Sequence, residues 1–160
     1  LDTWLSSSGA TASPSACHIA MQGRIAMWHA LGDAVAPLEL SQVSSTVFTN
    51  PEIATVGLTQ ADLDAGRFRG DVAMVALAPN ARAKMADHTD GFVKLFCRRG
   101  SRILAGAVIV GPYASELILP LTIAVEQRLT VDQLAATFTV YPSLSGSIAE
   151  AARRLRGSTE

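Results

Sequence analysis

Apolar residues recur in short runs, and their period changes near residue 43. Between Cys17 and Leu31, Ile19, Ile25, Met27 and Leu31 recur among alanines, and Gly32 follows, which predicts a helix with a stop. Asp33–Gln42 is a proline-containing connector. Beyond it the runs become short and β-branched. Val43–Phe48 and Ile53–Val56 predict two strands around a bend at Thr49-Asn50-Pro51-Glu52, the second ended by Gly57. Thr59–Ala65 predicts a short helix with Thr59 as N-cap and Gly66 at its end. Val72–Leu77 predicts a strand, and Ala81–Met85 a helical turn.

Gly91–Arg98 and Ile103–Val110 predict a hairpin around Arg99-Gly100-Ser101-Arg102. The second of these strands is too apolar to expose either face, which places it at the centre of a sheet. Three helices complete the pattern. Ser115–Glu126 is apolar at Leu117, Ile118, Leu121 and Val125, and Val131–Ala136 is short. Ser145–Leu155 opens on a serine cap and ends among Arg153, Arg154 and Arg156, cations that suit a helix C-terminus. The order, strands before helices, predicts an α+β domain: an antiparallel β-sheet with helices packed on one face. The expected divisions are 1–15, a flexible tail or linker remnant; 16–42, a helix and connector; 43–155, the sheet-and-helix domain; and 156–160, a tail.

Composition narrows the function classes. With 49% hydrophobic and 17% charged residues the chain can fill a core, which excludes wholesale disorder. Thirteen Lys and Arg against fourteen Asp and Glu leave a formal charge of −1, which attracts neither nucleic acid nor an anionic membrane. The longest apolar stretch, Leu117–Val125, is interrupted by Pro120 and falls far short of the roughly 20 residues of a membrane span. The first residues lack the basic and apolar regions of a signal peptide. Two cysteines, Cys17 and Cys97, are too few for a disulfide scaffold and point to a reducing, cytoplasmic setting. Leu1 in place of Met is what a piece of a longer reading frame would show.

Local motifs supply no complete active site. The chain has no Gly-x-Gly-x-x-Gly dinucleotide fingerprint and no Gly-Lys-Ser/Thr phosphate loop. Its cysteines form no CxxC pair, and His18, His29 and His88 have no metal-ligand spacing, so no metal is expected. Ser143-Leu144-Ser145-Gly146-Ser147 lacks the order of a hydrolase nucleophile elbow.

Several segments, taken in order, carry a family likeness. They are Ala20-Met21-Gln22-Gly23-Arg24-Ile25-Ala26, then Thr49-Asn50-Pro51-Glu52-Ile53-Ala54-Thr55-Val56-Gly57-Leu58-Thr59, then Asn80-Ala81-Arg82-Ala83. Gly91-Phe92-Val93-Lys94-Leu95 with Ile103-Leu104-Ala105-Gly106, and Ala114-Ser115-Glu116-Leu117-Ile118, follow. Together they resemble the C-terminal end of the pyridine nucleotide–disulfide oxidoreductases, over roughly Ser15–Leu155. The first segment resembles the last helix of an FAD domain, and the others resemble the dimerisation domain that follows it. The resemblance implies a homodimer, FAD and NAD(P)H as cofactors of the parent enzyme, and FAD and NAD(P) domains that this chain lacks. It implies no cofactor stably bound by this chain alone.

Tyr141-Pro142-Ser143-Leu144-Ser145-Gly146 is the most informative segment. In disulfide-reducing members of the family this place reads His-Pro-Thr followed shortly by Glu. The resemblance implies that the His exchanges a proton with a thiol across the dimer and that the Glu orients it. That work needs a group titrating near neutral pH, as imidazole ordinarily does. Here Tyr141 stands at the His position and Gly146 at the Glu position. A phenol ordinarily titrates near 10, and glycine has no side chain with which to orient anything. The same pattern resembles the branch of the family that reduces quinones with NAD(P)H, labelled dihydrolipoamide-dehydrogenase-like.

The resemblance also implies flavin-facing roles for Ala16, Cys17, Tyr141 and Pro142, with a cis bond before Pro142. Ala16 and Cys17 open a helix whose N-terminus suits negative charge on a reduced flavin, although a frayed helix end is the simpler reading. The simpler alternative for Tyr141, set second to the flavin-facing role, is an interface aromatic. Cys97 in a strand is expected as a small buried hydrophobe. His18, His29, His88 and the Arg98–Arg102 turn are expected at the surface, and Arg82 in a structural role. Two functions follow: the interface domain of an FAD-dependent oxidoreductase, or a catalytically silent self-association module, such as a truncated orphan domain.

Overall fold

The computed structural model describes residues 16–36 and 39–157, and of residues 16–18 and 40 only the backbone. The expected tail 1–15 and residues 158–160 lie outside the described residues. The chain divides into two units, Leu1–Val43 and Ser44–Glu160. In the first, α1 (Ala16–Ala30) ends as its sequence predicts. Gly32, at φ 90°, donates to the His29 carbonyl, and the Asp33 N–H donates to Trp28. These two bonds take up the last free carbonyls of the helix. Ile19, Met27 and Leu31 are exposed.

The second unit carries five strands: β1 (Ser45–Val47), β2 (Glu52–Gly57), β3 (Gly70–Ala76), β4 (Phe92–Arg98) and β5 (Leu104–Gly111). They form one antiparallel sheet in the order β1-β2-β5-β4-β3. The most apolar strand, β5, is indeed central. Ala54 on β2 and Val93 on β4 both face Ile109, and Val56 and Leu95 both face Ala107.

The helices are α2 (Gln60–Asp64), α3 (Ala81–Met85), α4 (Ala114–Glu126), α5 (Val131–Ala136) and α6 (Gly146–Gly157). α6 therefore runs two residues past its expected end at Leu155. One large core joins a sheet face to α3–α6. From the sheet it takes Ala54, Val56, Val75, Val93, Leu95, Cys97 and Ile109, and from the helices Ala83, Ile118, Leu121, Val131, Ala151 and Leu155. On the opposite face a smaller cluster of Phe68, Phe96 and Ala105 is capped by Leu58 and Leu63, so α2 covers one end of that face. The rest of it is open: Val47, Ile53 and Met74 are exposed.

A register shift at Phe96/Cys97 changes which residues of β5 face the large core. Leu104 and Ala107 join the large core, while Ala105 between them joins the small one. Two residues fill the bulge, and the face assignment changes parity across it. Gly106 lies under the backbone of Leu58, where an added Cβ would come within 2.0 Å of the Leu58 carbonyl oxygen. Only glycine permits that approach.

Arg98–Ser101 of the hairpin turn are exposed, as expected, while Arg102 is half-buried. Arg102 makes a two-pronged pair with Asp132 on α5, its Nε donating at 2.7 Å, and Arg99 pairs with Asp71 on β3 at 2.8 Å. The pairing follows from the fold, because backbone bonds from Val131 to Arg102 and from Leu104 to Leu129 dock the turn on the start of α5. The Arg102 guanidinium holds the Asp132 carboxyl below the usual range. Burial pushes the Cys97 thiol up, as suits the buried hydrophobe expected there.

At α2 the expected Thr59 N-cap works with Asp62. The Asp62 carboxylate accepts from the Thr59 N–H and hydroxyl, each at 2.8 Å, and pairs with Arg67. These bonds, the backbone one foremost, hold the Asp62 carboxyl below its ordinary value. A lowered carboxylate stabilises the fold above its unfolded-state pKa of about 3.9 and loses that contribution as pH falls through the folded value. Asp62→Asn should therefore cost about 1 kcal/mol at pH 7 and much less at pH 2, as measured by urea unfolding at the two pH values. Gly106→Ala should cost about 3 kcal/mol at either pH, because the atoms it meets are backbone.

Candidate functional site

The segment singled out by the sequence forms the loop between α5 and α6. α5 opens on a capping box, in which Thr130 and Gln133 exchange bonds at 2.8 and 3.2 Å. After it the chain turns outward. Phe138, Val140 and Tyr141 are exposed by 90%, 68% and 84%, so the tip of this loop is apolar and uncovered. The Tyr141–Pro142 bond is cis, as the resemblance implied, and so is Asn50–Pro51, which had no such expectation.

Polar groups hold the base of the loop. The Ser143 hydroxyl donates to the Val140 carbonyl at 2.6 Å and accepts from the Gly146 N–H at 3.1 Å. The side chain capping α6 is thus Ser143 and not Ser145. Ser145 stands at the N-cap position, and its hydroxyl meets that of Ser143 at 3.0 Å. The side chain of Asn80 reaches the loop from the turn after β3. Its Nδ2 donates to the Ser143 carbonyl at 3.0 Å and to the Ser147 Oγ at 2.8 Å. Its Oδ1 accepts from the N–H groups of Arg82 and Ala83 and caps α3. The structural work of the Asn-Ala-Arg-Ala motif therefore falls on Asn80, while Arg82 is exposed.

Between this loop, the end of β3 and α6 lies an open cleft of about 350 Å³, bordered by Pro79, Asn80, Tyr141, Gly146 and Arg154 among others. Gly146 forms part of its wall. A Cβ built there meets only the Ser143 Oγ, at 3.6 Å. The position thus has room for a side chain and does not have one. Among the described residues no histidine or cysteine lines the cleft, and the one carboxylate there, Glu150, is bonded to Arg153 and Arg154 at 3.1 and 3.4 Å. Hydroxyl, amide and guanidinium groups can donate hydrogen bonds here. None ordinarily exchanges a proton near neutral pH.

The other expected site residues belong to different units. Ala16 and Cys17 open α1 in the first unit, and their side chains lie outside the described ones. Tyr141 and Pro142 belong to the second unit. His88 is exposed. Among the described residues no three His, Cys, Asp or Glu side chains are grouped to hold a metal, and no helix is long and apolar enough to cross a membrane. The residue that sequence reasoning missed is Asn80. Its signal was present, an Asn directly before a short helix, which is an N-cap pattern.

Comparison with known proteins agrees with this architecture. Residues 43–152 match the family described as pyridine nucleotide-disulphide oxidoreductase, dimerisation domain. The chain is 58% identical over 142 residues to a Mycobacterium tuberculosis protein named NAD(P)H dehydrogenase (quinone), covering 89% of this chain and 29% of that one. It is 38% identical over 146 residues to a dihydrolipoyl dehydrogenase of Haloferax volcanii, covering 91% and 30%. The crystal structure of LpdA from Mycobacterium tuberculosis superposes with a TM-score of 0.86 at 56% identity, covering 91% of this chain and 32% of that one. The flavoprotein disulfide reductase RclA from Escherichia coli shares the fold, with a TM-score of 0.75 at 21% identity over 81% of this chain and 30% of that one. The chain thus spans about three tenths of the length of the curated relatives it matches. With its five-stranded antiparallel sheet backed by α3–α6, the chain belongs to the pyridine nucleotide–disulfide oxidoreductases and carries their dimerisation domain.

Proposed function

We propose that this chain is the interface domain of a homodimeric, FAD-dependent NAD(P)H oxidoreductase whose electron acceptor is a quinone and not a disulfide. The observation that carries the reading is the Tyr141/Gly146 pair beside a cleft without a proton-shuttling group. Disulfide reduction expels a thiolate that must be protonated, and the family assigns that work to the His and Glu that these two residues replace. A quinone has no thiol leaving group. Overall, NAD(P)H, one proton and a quinone give NAD(P)+ and a hydroquinone: a hydride leaves the nicotinamide, and the quinone gains two electrons and two protons. Whole enzymes of the family use FAD and NAD(P), and the flavin supplies the two-electron relay when bound. The naming of a 58% identical relative as an NAD(P)H dehydrogenase (quinone) supports the same acceptor.

In this reading Tyr141 and Pro142 are presented to the flavin site of the partner subunit. There the phenol can donate a hydrogen bond and its ring can exclude water. The exposed tip residues Phe138, Val140 and Tyr141, with Leu119 and Ile123 on α4, supply the apolar surface that an interface domain buries. Charge and cysteine content fit a cytoplasmic setting.

A full-length flavoenzyme carrying this domain should reduce 2-methyl-1,4-naphthoquinone at least about a hundredfold faster than lipoamide, the scale on which acid–base groups act. Equal rates would overturn the reading. The 160-residue chain, supplied with FAD and NADH, should reduce neither. It should sediment as a dimer at high micromolar concentration, and a strict monomer there would count against the interface. Gly146→Ala should change stability by no more than about 0.5 kcal/mol, since the new methyl group enters open space.

A further inference from the structure

The side chain of Asn80 bonds in two directions at once. Its oxygen caps α3 by accepting from Arg82 at 2.8 Å and Ala83 at 3.2 Å. Its amide donates to the Ser143 carbonyl and to the nearly buried Ser147 hydroxyl. One planar group therefore joins the end of β3 to the base of the loop that carries Tyr141. Ser143 extends the connection, because its hydroxyl ties back to the Val140 carbonyl. Tyr141 and Pro142 are thus bracketed by a fixed residue on each side, Val140 before and Ser143 after, while the Tyr141 side chain remains exposed. Where the family resemblance implies a carboxylate to orient the loop's reactive residue, Gly146 offers none.

We propose that Asn80, acting through Ser143, is the positioning residue that fixes Tyr141 and Pro142 for the site they face. The function served rests on the flavin-site reading of Tyr141, whereas the tether is visible in this chain alone. Only asparagine suits both directions at this length. Aspartate keeps the acceptor that caps α3 but loses both donors, and sets a carboxylate against the Ser143 carbonyl. Asn80→Asp therefore separates the two roles.

In the 160-residue chain, Asn80→Asp should speed amide hydrogen exchange about tenfold across residues 139–147 and leave residues 81–86 unchanged. Unchanged exchange in the loop would overturn the tether. Equal loosening of α3 would make Asn80 a folding residue of its own turn and overturn the positioning role. The second readout uses a full-length flavoenzyme with this domain. There Asn80→Asp should leave flavin reduction by NADH at its parental rate and slow reoxidation by 2-methyl-1,4-naphthoquinone about tenfold, a misplacement effect, as should Tyr141→Ala. A slow Tyr141→Ala enzyme beside a parental Asn80→Asp enzyme would overturn this inference alone. A Tyr141→Ala enzyme with parental reoxidation would overturn the reading of Tyr141 on which it rests. Should Asn80→Asp fail to fold, Ser147→Ala removes one acceptor of the same amide and should give a smaller loss, about threefold; parental exchange and parental reoxidation in that variant would overturn the tether.

Discussion

The burial of β5 on both faces is the constraint from which the rest of the second unit follows. A strand reading Leu-Ala-Gly-Ala-Val-Ile-Val-Gly has no face to offer water, so both of its edges must be paired and both of its faces covered. β2 and β4 take the edges. α4 and α6 cover one face, and Phe68, Phe96 and Leu58 cover part of the other. Alternation along the strand serves both coverings, and the bulge at Ala105–Gly106 lets Leu104 and Ala107, three positions apart, face the same core. Leu58 can lie across the strand only because Gly106 has no side chain.

From that centre the position of the loop is fixed. The hairpin turn after β4 docks on α5 through Arg102 and Asp132, and α5 feeds directly into the loop that bears Tyr141. On the other side, β3 leads to Asn80, which meets the same loop at Ser143. Two connections, one from each end of the sheet's outer hairpin, thus converge on one short segment. The scaffold holds the base of the loop through main-chain and side-chain polar bonds and leaves its tip apolar and exposed. A segment already ordered before assembly spares the conformational cost of ordering it at an interface.

Much of this was legible in the sequence because it rests on local rules. The central place of β5 follows from its lack of polar residues, the stops at Gly32 and Gly66 from the left-handed backbone that glycine permits, and the start of α2 from Thr59 and Asp62. What the sequence hid depends on contacts between distant residues. A serine before a helix predicts a cap, but Ser143 and Ser145 are both available, and it is Ser143 that accepts from the Gly146 N–H. The pairing of Arg102 with Asp132 and the bond from Asn80 to Ser147 join segments that no local pattern connects. The open face of the sheet was likewise hidden, since Val47, Ile53 and Met74 read as ordinary strand residues.

The site itself was legible mainly through what it lacks. Resemblance places Tyr141 and Gly146 where a proton-exchanging pair would stand, and the geometry gives that substitution a physical meaning. A glycine forced by crowding would sit under backbone, as Gly106 does. Gly146 sits instead in open space, with a single neighbour at ordinary contact distance. The backbone at this position therefore tolerates a side chain, and the fold does not demand the glycine. Crowding at the Cβ position thus does not account for the glycine. Hydrogen bonds from Asn80 and Ser143 hold the base of the loop, because holding a backbone in place requires donors and acceptors but no titrating group.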